Sequence, residues 1–395
     1  MLKDNFIQKI NIISILIINF IFILLRLPDF YRPLWNDEYI TIRTTQINPL
    51  VNPLYNETST NLPLYYYFIK IFSFLFTNEN LRISSLIFSI VTLNIFLYRY
   101  LKEQNLIYLI SGIMLTFIPI QIYYSVELRT YALTQLLLVI QFFYLKDYLE
   151  RKKVNYIVWG LIIFLSLISH YTSFIFVFAT GVFLLLVDKK VTESLLKSLI
   201  FPSLLGFIVL VSISGNQGFT NSTDNSILNL NFDRFSINNI KENILRLVEV
   251  LTIYYNFGLH YYRLDGLFTS LFKKFMYFFY LVPFLWVIIK IRTRDLLLNV
   301  ILVLLTACLS LSILFDLSGF IIFASRYIFP FNFLYILLVS YVLKEIFNKS
   351  KFIFFILITI FIICFNIYNL CLISNLDIYK GNEDPQGILI QSCFK

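Results

Sequence analysis

The chain is short of charge, of histidine and of glycine. Only 14% of its 395 residues are Asp, Glu, Lys or Arg, and it has two His, four Cys and 11 Gly. A soluble globular domain carries roughly 25% charged residues to solvate its surface, so a soluble fold is excluded. Cys308, Cys364, Cys371 and Cys393 show no metal-ligand spacing, and Cys371 and Cys393 leave one disulfide open near the C-terminal end. No glycine-rich phosphate loop and no internal repeat occurs, which removes the nucleotide-binding folds.

What is abundant is apolar and aromatic. Hydrophobic residues make up 58% of the chain, with 43 Phe and 27 Tyr, and the mean hydropathy is +0.77. Apolar runs cover residues 10–27, 63–76, 83–98, 105–122, 130–145, 154–169, 172–187, 198–213, 275–289, 296–315, 328–343 and 352–372. Many approach the ~18–20 residues that cross ~30 Å of hydrocarbon as helix. Lipid offers the backbone no hydrogen-bond partner, so spanning segments are helices or a closed barrel. Continuous runs, without period-two alternation, point to helices. The sequence therefore predicts an all-α integral membrane protein.

Charge sets the threading. The first run follows Lys3 and Lys9 like a signal sequence, but no small-residue cleavage site follows it, and it reads as a retained span. Short basic clusters belong on the cytoplasmic side. The strongest are Lys146/Arg151/Lys152/Lys153, Lys189/Lys190/Lys197, Lys290/Arg292/Arg294 and Lys344/Lys349/Lys351. All fall inside if the run 63–76 does not cross; fourteen helical residues cover only ~21 Å. That gives about eleven spans, a cytoplasmic N-terminus and an outer C-terminal tail, 373–395. The whole net charge of +9 then lies on the inside segments. The basic balance is a topology signal and gives no support to nucleic-acid binding.

The same threading gathers residues 28–82, 122–129, 214–274 and 316–327 on the outer face. Loop 214–274 contains Ile240, Ile244, Leu247, Val248 and Leu251 at helical spacing, which predicts an amphipathic juxtamembrane helix. The N-terminal module is expected over 1–213, with its first outer loop at 28–82, and the C-terminal spans over 275–372.

The unusual polar residues sit on this outer face. In "LWNDEYITIR", Asp37 and Glu38 stand beside Trp35 at the water–lipid boundary, where a lipid-linked substrate presents its head group. A carboxylate there can act as general base toward a hydroxyl; the plainer reading is an acidic helix N-terminus. Glu127 and Arg129, in "YYSVELRTYAL", join two apolar runs, where unpaired charge is costly. His170 ("LISHYTSF"), Arg326 ("FASRYIFP") and Arg82 ("NENLRISSLIF") also lie outside; their plain readings are a satisfied structural histidine for the first and interfacial snorkelling for the two arginines. Together, two acids and several guanidinium groups suit a reaction that deprotonates a hydroxyl and holds a departing phosphate.

These elements, in this order, resemble the GT-C superfamily of polyprenyl-phosphate-sugar-dependent membrane glycosyltransferases, in particular its protein O-mannosyltransferase and aminoarabinose-transferase-like branch. The matching stretches are "LWNDEYI", "NLPLYYYFIKIF", "ENLRISSLIFSI", "YYSVELRTYAL", "SHYTSF" and "SRYIFPFNFLYILL", with the motif core over residues 1–200. The resemblance implies a GT-C-type polytopic bundle with juxtamembrane helices on the outer face of the plasma membrane. It makes Asp37 the catalytic base and Glu38 its neighbour in the site. It makes Glu127 the second-loop acid, with Arg129 and Tyr131 beside it, and His170, Arg326 and Arg82 fill out the substrate-binding set. The family pattern carries His or Lys before the proline of the "PLYY" segment; this chain has Asn61 and Leu62, which leaves the donor sugar open. The expected co-substrate is a polyprenyl-phosphate-linked sugar, with a glycan, lipid or protein acceptor, no metal and no other cofactor. A flippase for lipid-linked glycans and a non-catalytic envelope scaffold are the competing readings.

Overall fold

The computed structural model describes residues 2–31, 34, 36–46, 63–150, 152–187, 199–209, 295–317, 329–360 and 362. Within these, the side chains of residues 2–11, 36, 37, 79, 119 and 313–317 are outside the description. The expected juxtamembrane helix in 214–274, the tail 373–395 and Arg326 lie outside the described residues.

Every regular element among the described residues is helical. The order is α1 (Leu2–Leu24), α2 (Leu27–Phe30), α3 (Asn36–Gln46), α4 (Leu64–Phe72), α5 (Ile83–Glu103), α6 (Leu106–Phe117) and α7 (Pro119–Tyr124). It continues with α8 (Tyr131–Leu149), α9 (Tyr156–Leu167), α10 (Thr172–Val187), α11 (Leu199–Val209), α12 (Leu296–Leu317), α13 (Asn332–Lys349) and α14 (Lys351–Ile360). Single 3₁₀ turns precede α5 and α13, at Asn78–Asn80 and Phe329–Phe331.

Two of these segments, Ile83–Glu103 and Phe329–Lys349, are both long and apolar enough to cross a bilayer. Helices α1 and α12, of 23 and 22 residues, reach roughly 33 Å at 1.5 Å per residue. Other apolar helices among the described residues are shorter, so the expected count of about eleven crossings is not reached within them. The run 63–76, left out of that count, forms only the nine-residue α4, roughly 14 Å long. One local cause of the shortfall is visible. The run 105–122 is broken at Ile118, which is extended, because Pro119 has no N–H to continue the ladder of α6.

The long helices define two ends of the bundle. At one end the C-termini of α5 and α8 share a charge network. Arg99 bridges Glu103 at 3.0 Å and Asp147 at 2.5 Å, and Lys146 bridges Glu103 and Glu150, each at 2.8 Å. Lys152 closes the network on Glu150. Burial pushes the Glu150 carboxyl up, but the hydrogen bonds from Lys146 and Lys152 outweigh it and hold the group below its usual range. Asp295 caps α12 through the N–H groups of Leu297 and Leu298 and accepts from Tyr341 of α13 at 2.9 Å. The first and last basic clusters of the sequence therefore sit together at one end.

Between the ends, α5, α6, α8, α10, α12 and α13 share one large apolar core. A second cluster docks α3 and α4 on α5 and α8 through Ile42, Tyr65, Ile69, Phe88, Leu128 and Leu137. Close helix approach depends on glycine at one point. A Cβ at Gly206 of α11 meets the Cβ of Leu167, at the end of α9, at 2.8 Å. Because that neighbour is anchored close to the backbone, Gly206→Ala forces the helices apart and is expected to cost about 1–3 kcal/mol. The check is a lower Tm for the variant in detergent; an unchanged Tm contradicts the close packing.

Candidate functional site

The site is built around α3. Its buried face carries Glu38, Thr41, Ile42 and Thr45, at the i, i+3, i+4, i+7 spacing of one helical side, while Tyr39, Arg43 and Gln46 face outward. A carboxylate on the buried side must be paired, and Glu38, at 0% exposure, is. Arg82, one residue before α5, donates from Nε to Oε1 at 2.8 Å and from Nη2 to Oε2. The backbone N–H of Leu128 donates to the same Oε1 at 2.9 Å. Nη1 of Arg82 reaches the carbonyls of Phe30 and Asp29 at 3.1 and 3.4 Å. One forked ion pair thus joins four separate segments: α2, α3, the start of α5 and the loop after α7.

A second arginine holds the other side of that loop. Arg26, between α1 and α2, is 1% exposed and donates from Nε to Ser125 Oγ at 2.6 Å. Its remaining N–H groups bond the carbonyls of Leu115 and Thr116, at 3.0 and 3.2 Å, and of Phe22 at 2.9 Å. The first two are carbonyls left open at the end of α6; the missing N–H of Pro119 frees that of Leu115. Arg26 therefore caps the broken helix and pins the loop in one contact.

The loop 125–131 carries the other expected residues. A tight turn, with the Arg129 N–H bonded to the Glu127 carbonyl at 2.7 Å, buries both side chains. Arg129 Nη1 lies 3.5 Å from Thr41 Oγ1 on α3. Position 37 lies one turn before Thr41 on the same side of that helix, so the guanidinium reaches the face to which Asp37 belongs. The Asp37 side chain itself is outside the described residues. Tyr131 packs its ring on Tyr124 and His170, with centroids 5.3 and 5.6 Å away. His170 is fully buried in the turn before α10, where Nδ1 accepts the Thr172 N–H at 3.2 Å, which leaves Nε2 to carry the proton of the neutral ring. The turn is strapped to the loop by Thr130 Oγ1 on the Ser169 carbonyl at 2.8 Å, and to α4 by the Leu64 N–H on the Ile168 carbonyl at 3.1 Å.

Tyr65 of α4 lies beneath this assembly, hydrogen-bonded to Ser85 Oγ at 2.9 Å. Burial raises its pKa, the serine bonds oppose the rise, and the carboxylates of Glu38 and Glu127 add to it. Asp37 by its backbone, and Glu38, Arg82, Glu127, Arg129, Tyr131 and His170, therefore come to one end of the bundle, opposite the Arg99–Asp147 network. Among the described residues no three His, Cys, Asp or Glu side chains gather at metal-binding geometry.

A sequence model of the dolichyl-phosphate-mannose-protein mannosyltransferase family matches residues 59–216. The oligosaccharyltransferase of Archaeoglobus fulgidus, crystallised with zinc and sulfate, superposes with a TM-score of 0.51 at 16% identity. The superposition covers 96% of this chain. The chain carries the GT-C fold. It spans about half of the archaeal enzyme's length, 52%. A search of curated proteins returns no match. The match to the mannosyltransferase family begins at residue 59, so within this GT-C fold it covers Arg82, the 125–131 loop and His170 and leaves out α3.

Three features of this residue cluster escaped the sequence reading. Arg26 stands there only inside the first apolar run, Tyr65 within "NLPLYYYFIKIF", and Ser125 within the segment 122–129. Their partners lie 20 to 99 positions away, and a single sequence shows no such pairing. The signal that was present is a lone arginine closing an apolar run just before Pro28 and Asp29. Truncating one partner of the central pair tests the architecture. Glu38→Leu strands a buried guanidinium and should cost about 3–5 kcal/mol, while Glu38→Leu with Arg82→Met should cost less than Glu38→Leu alone. Denaturation of the purified variants in detergent measures both, and a double variant worse than the single one contradicts the pairing.

Proposed function

We propose that the protein is an inverting membrane glycosyltransferase that moves a monosaccharide from a polyprenyl-phosphate donor to an acceptor hydroxyl at the outer face of the plasma membrane. The GT-C fold and the mannosyltransferase-family match support glycosyl transfer. The observation that carries the residue-level reading is the reach of Arg129 to Thr41, which sets a phosphate-binding group beside the helical face of Asp37.

In this reading the donor's prenyl chain lies in the bilayer and its sugar phosphate at the α3 end of the bundle. The Asp37 carboxylate takes the proton of the acceptor hydroxyl as the oxygen attacks the anomeric carbon. The bond from that carbon to the phosphate oxygen breaks on the opposite side, and its electron pair leaves with the polyprenyl phosphate. Arg129 and Arg326 meet the charge that gathers on the leaving phosphate. Glu38, neutralised by Arg82, holds α3 and the 125–131 loop at fixed spacing. His170 and Tyr131 form the wall behind them.

Orientation follows the charge. The Arg99–Asp147 end holds Lys146 and Lys152 of the first cluster expected on the cytoplasmic side, which supports an outward-facing α3 end. The flippase reading calls for a polar path through the spans. It has less support, because the buried charges at the middle of the described helices are few and those at the ends are paired.

Two variants test the chemistry. Asp37→Asn should leave the protein in the membrane and lower transfer from a lipid-linked sugar by about 10²–10⁴-fold, the usual contribution of a general base. Full activity in that variant sinks the mechanism. Arg129→Gln should lower kcat by about 10²-fold, as loss of one charge-stabilising donor does. An effect on stability with kcat intact would make Arg129 a strut.

A further inference from the structure

The face of the bundle made by α9 and α11 carries a feature the transfer reaction does not use. The two helices pinch together where Gly206 meets Leu167. Between them lies a groove of about 990 Å³, at the upper end of the range for small-molecule sites. Its walls are Ile157, Leu161 and Phe164 from α9 and Phe201 and Leu205 from α11, and at its open end stands Lys153. Ile157 is 85% exposed and Phe201 64%, so the walls are bare apolar surface.

Charge distinguishes this groove from ordinary lipid-facing surface. Lys152 is bound by Glu150 and Asp147, whereas Lys153 has no ion pair among the described residues. Lys153 sits two residues before Asn155, the cap whose side chain accepts the N–H groups of Ile157 and Val158. From Ile157 to Leu167 the groove wall runs roughly 15 Å at 1.5 Å per residue. That is about half of the ~30 Å hydrocarbon core, the depth of one leaflet.

We propose that this groove is a binding site for an anionic glycerophospholipid, with the phosphate at Lys153 and an acyl chain between α9 and α11 up to the Gly206–Leu167 pinch. Basic pockets between spanning helices select such head groups, at roughly 1 kcal/mol per basic side chain. The groove opens at the end of the bundle that carries the Arg99–Asp147 network, away from Asp37, so the lipid is separate from the sugar donor. The site stands or falls independently of glycosyl transfer.

The test uses the purified full chain in detergent with dioleoyl phosphatidylglycerol or dioleoyl phosphatidylcholine added, read by native mass spectrometry and by Tm. The wild type should retain phosphatidylglycerol about fivefold over phosphatidylcholine, the ratio that one lysine contact supplies, and gain more in Tm from it. Lys153→Gln should abolish the preference, and Leu161→Trp, which fills the groove from an exposed position, should lower retention of both lipids. Equal retention of the two lipids by the wild type, or an undiminished preference in Lys153→Gln, overturns the proposal. So does unchanged retention in Leu161→Trp.

Discussion

The Glu38–Arg82 pair is the constraint from which the site follows. A carboxylate and a guanidinium removed from water are unfavourable singly, and they are tolerated here because the fork geometry and the added N–H and carbonyl partners use nearly every donor and acceptor. That requirement fixes how α3 enters the bundle. It also fixes where the Leu128 backbone lies, and with it Glu127 and Arg129. Arg26 applies the same logic one layer further in, at the carbonyls that Pro119 leaves open. The loop between α7 and α8 is therefore held on one side by the Arg82-bound Glu38 and on the other by Arg26, a firm base for the candidate site.

The opposite end of the bundle is organised differently. There the charges are partly exposed and linked in a chain, Arg99 to Asp147, Lys146 to Glu103 and Glu150, and Lys152 to Glu150. Such a network sits near water and tolerates loss of one member. One end of the protein thus carries polar groups locked by burial, and the other carries charge that suits a membrane surface. Lys153, with no ion pair among the described residues and beside an apolar groove, belongs to that second pattern.

Much of this was legible in composition and run length. The helical membrane class, the short helix within residues 63–76 and the gathering of "NDEYI", "VELR" and "SHYT" at one end all follow from hydropathy and charge. Position in the site was less legible. Nothing in the local sequence shows that Glu38 is the member of the pair locked to Arg82 and the Leu128 backbone. Likewise Pro119 announces a break, but not that Arg26, 93 positions earlier, caps it. Long-range pairs of this kind exist only once the helices are packed. Asp37's side chain and Arg326 lie outside the described residues, and their roles rest on the proposed mechanism.

In the proposed mechanism, the helical face of Asp37 serves proton removal and the guanidinium of Arg129 serves phosphate departure. The most direct measurement is a donor-consumption assay on the reconstituted protein. Polyprenyl-phosphate monosaccharides are supplied with a membrane extract as acceptor, and release of free polyprenyl phosphate is followed by mass spectrometry. The account predicts release from at least one sugar donor, with one monosaccharide mass added to an acceptor. Intact donors across the whole panel, with protein that is folded and correctly inserted, would contradict it.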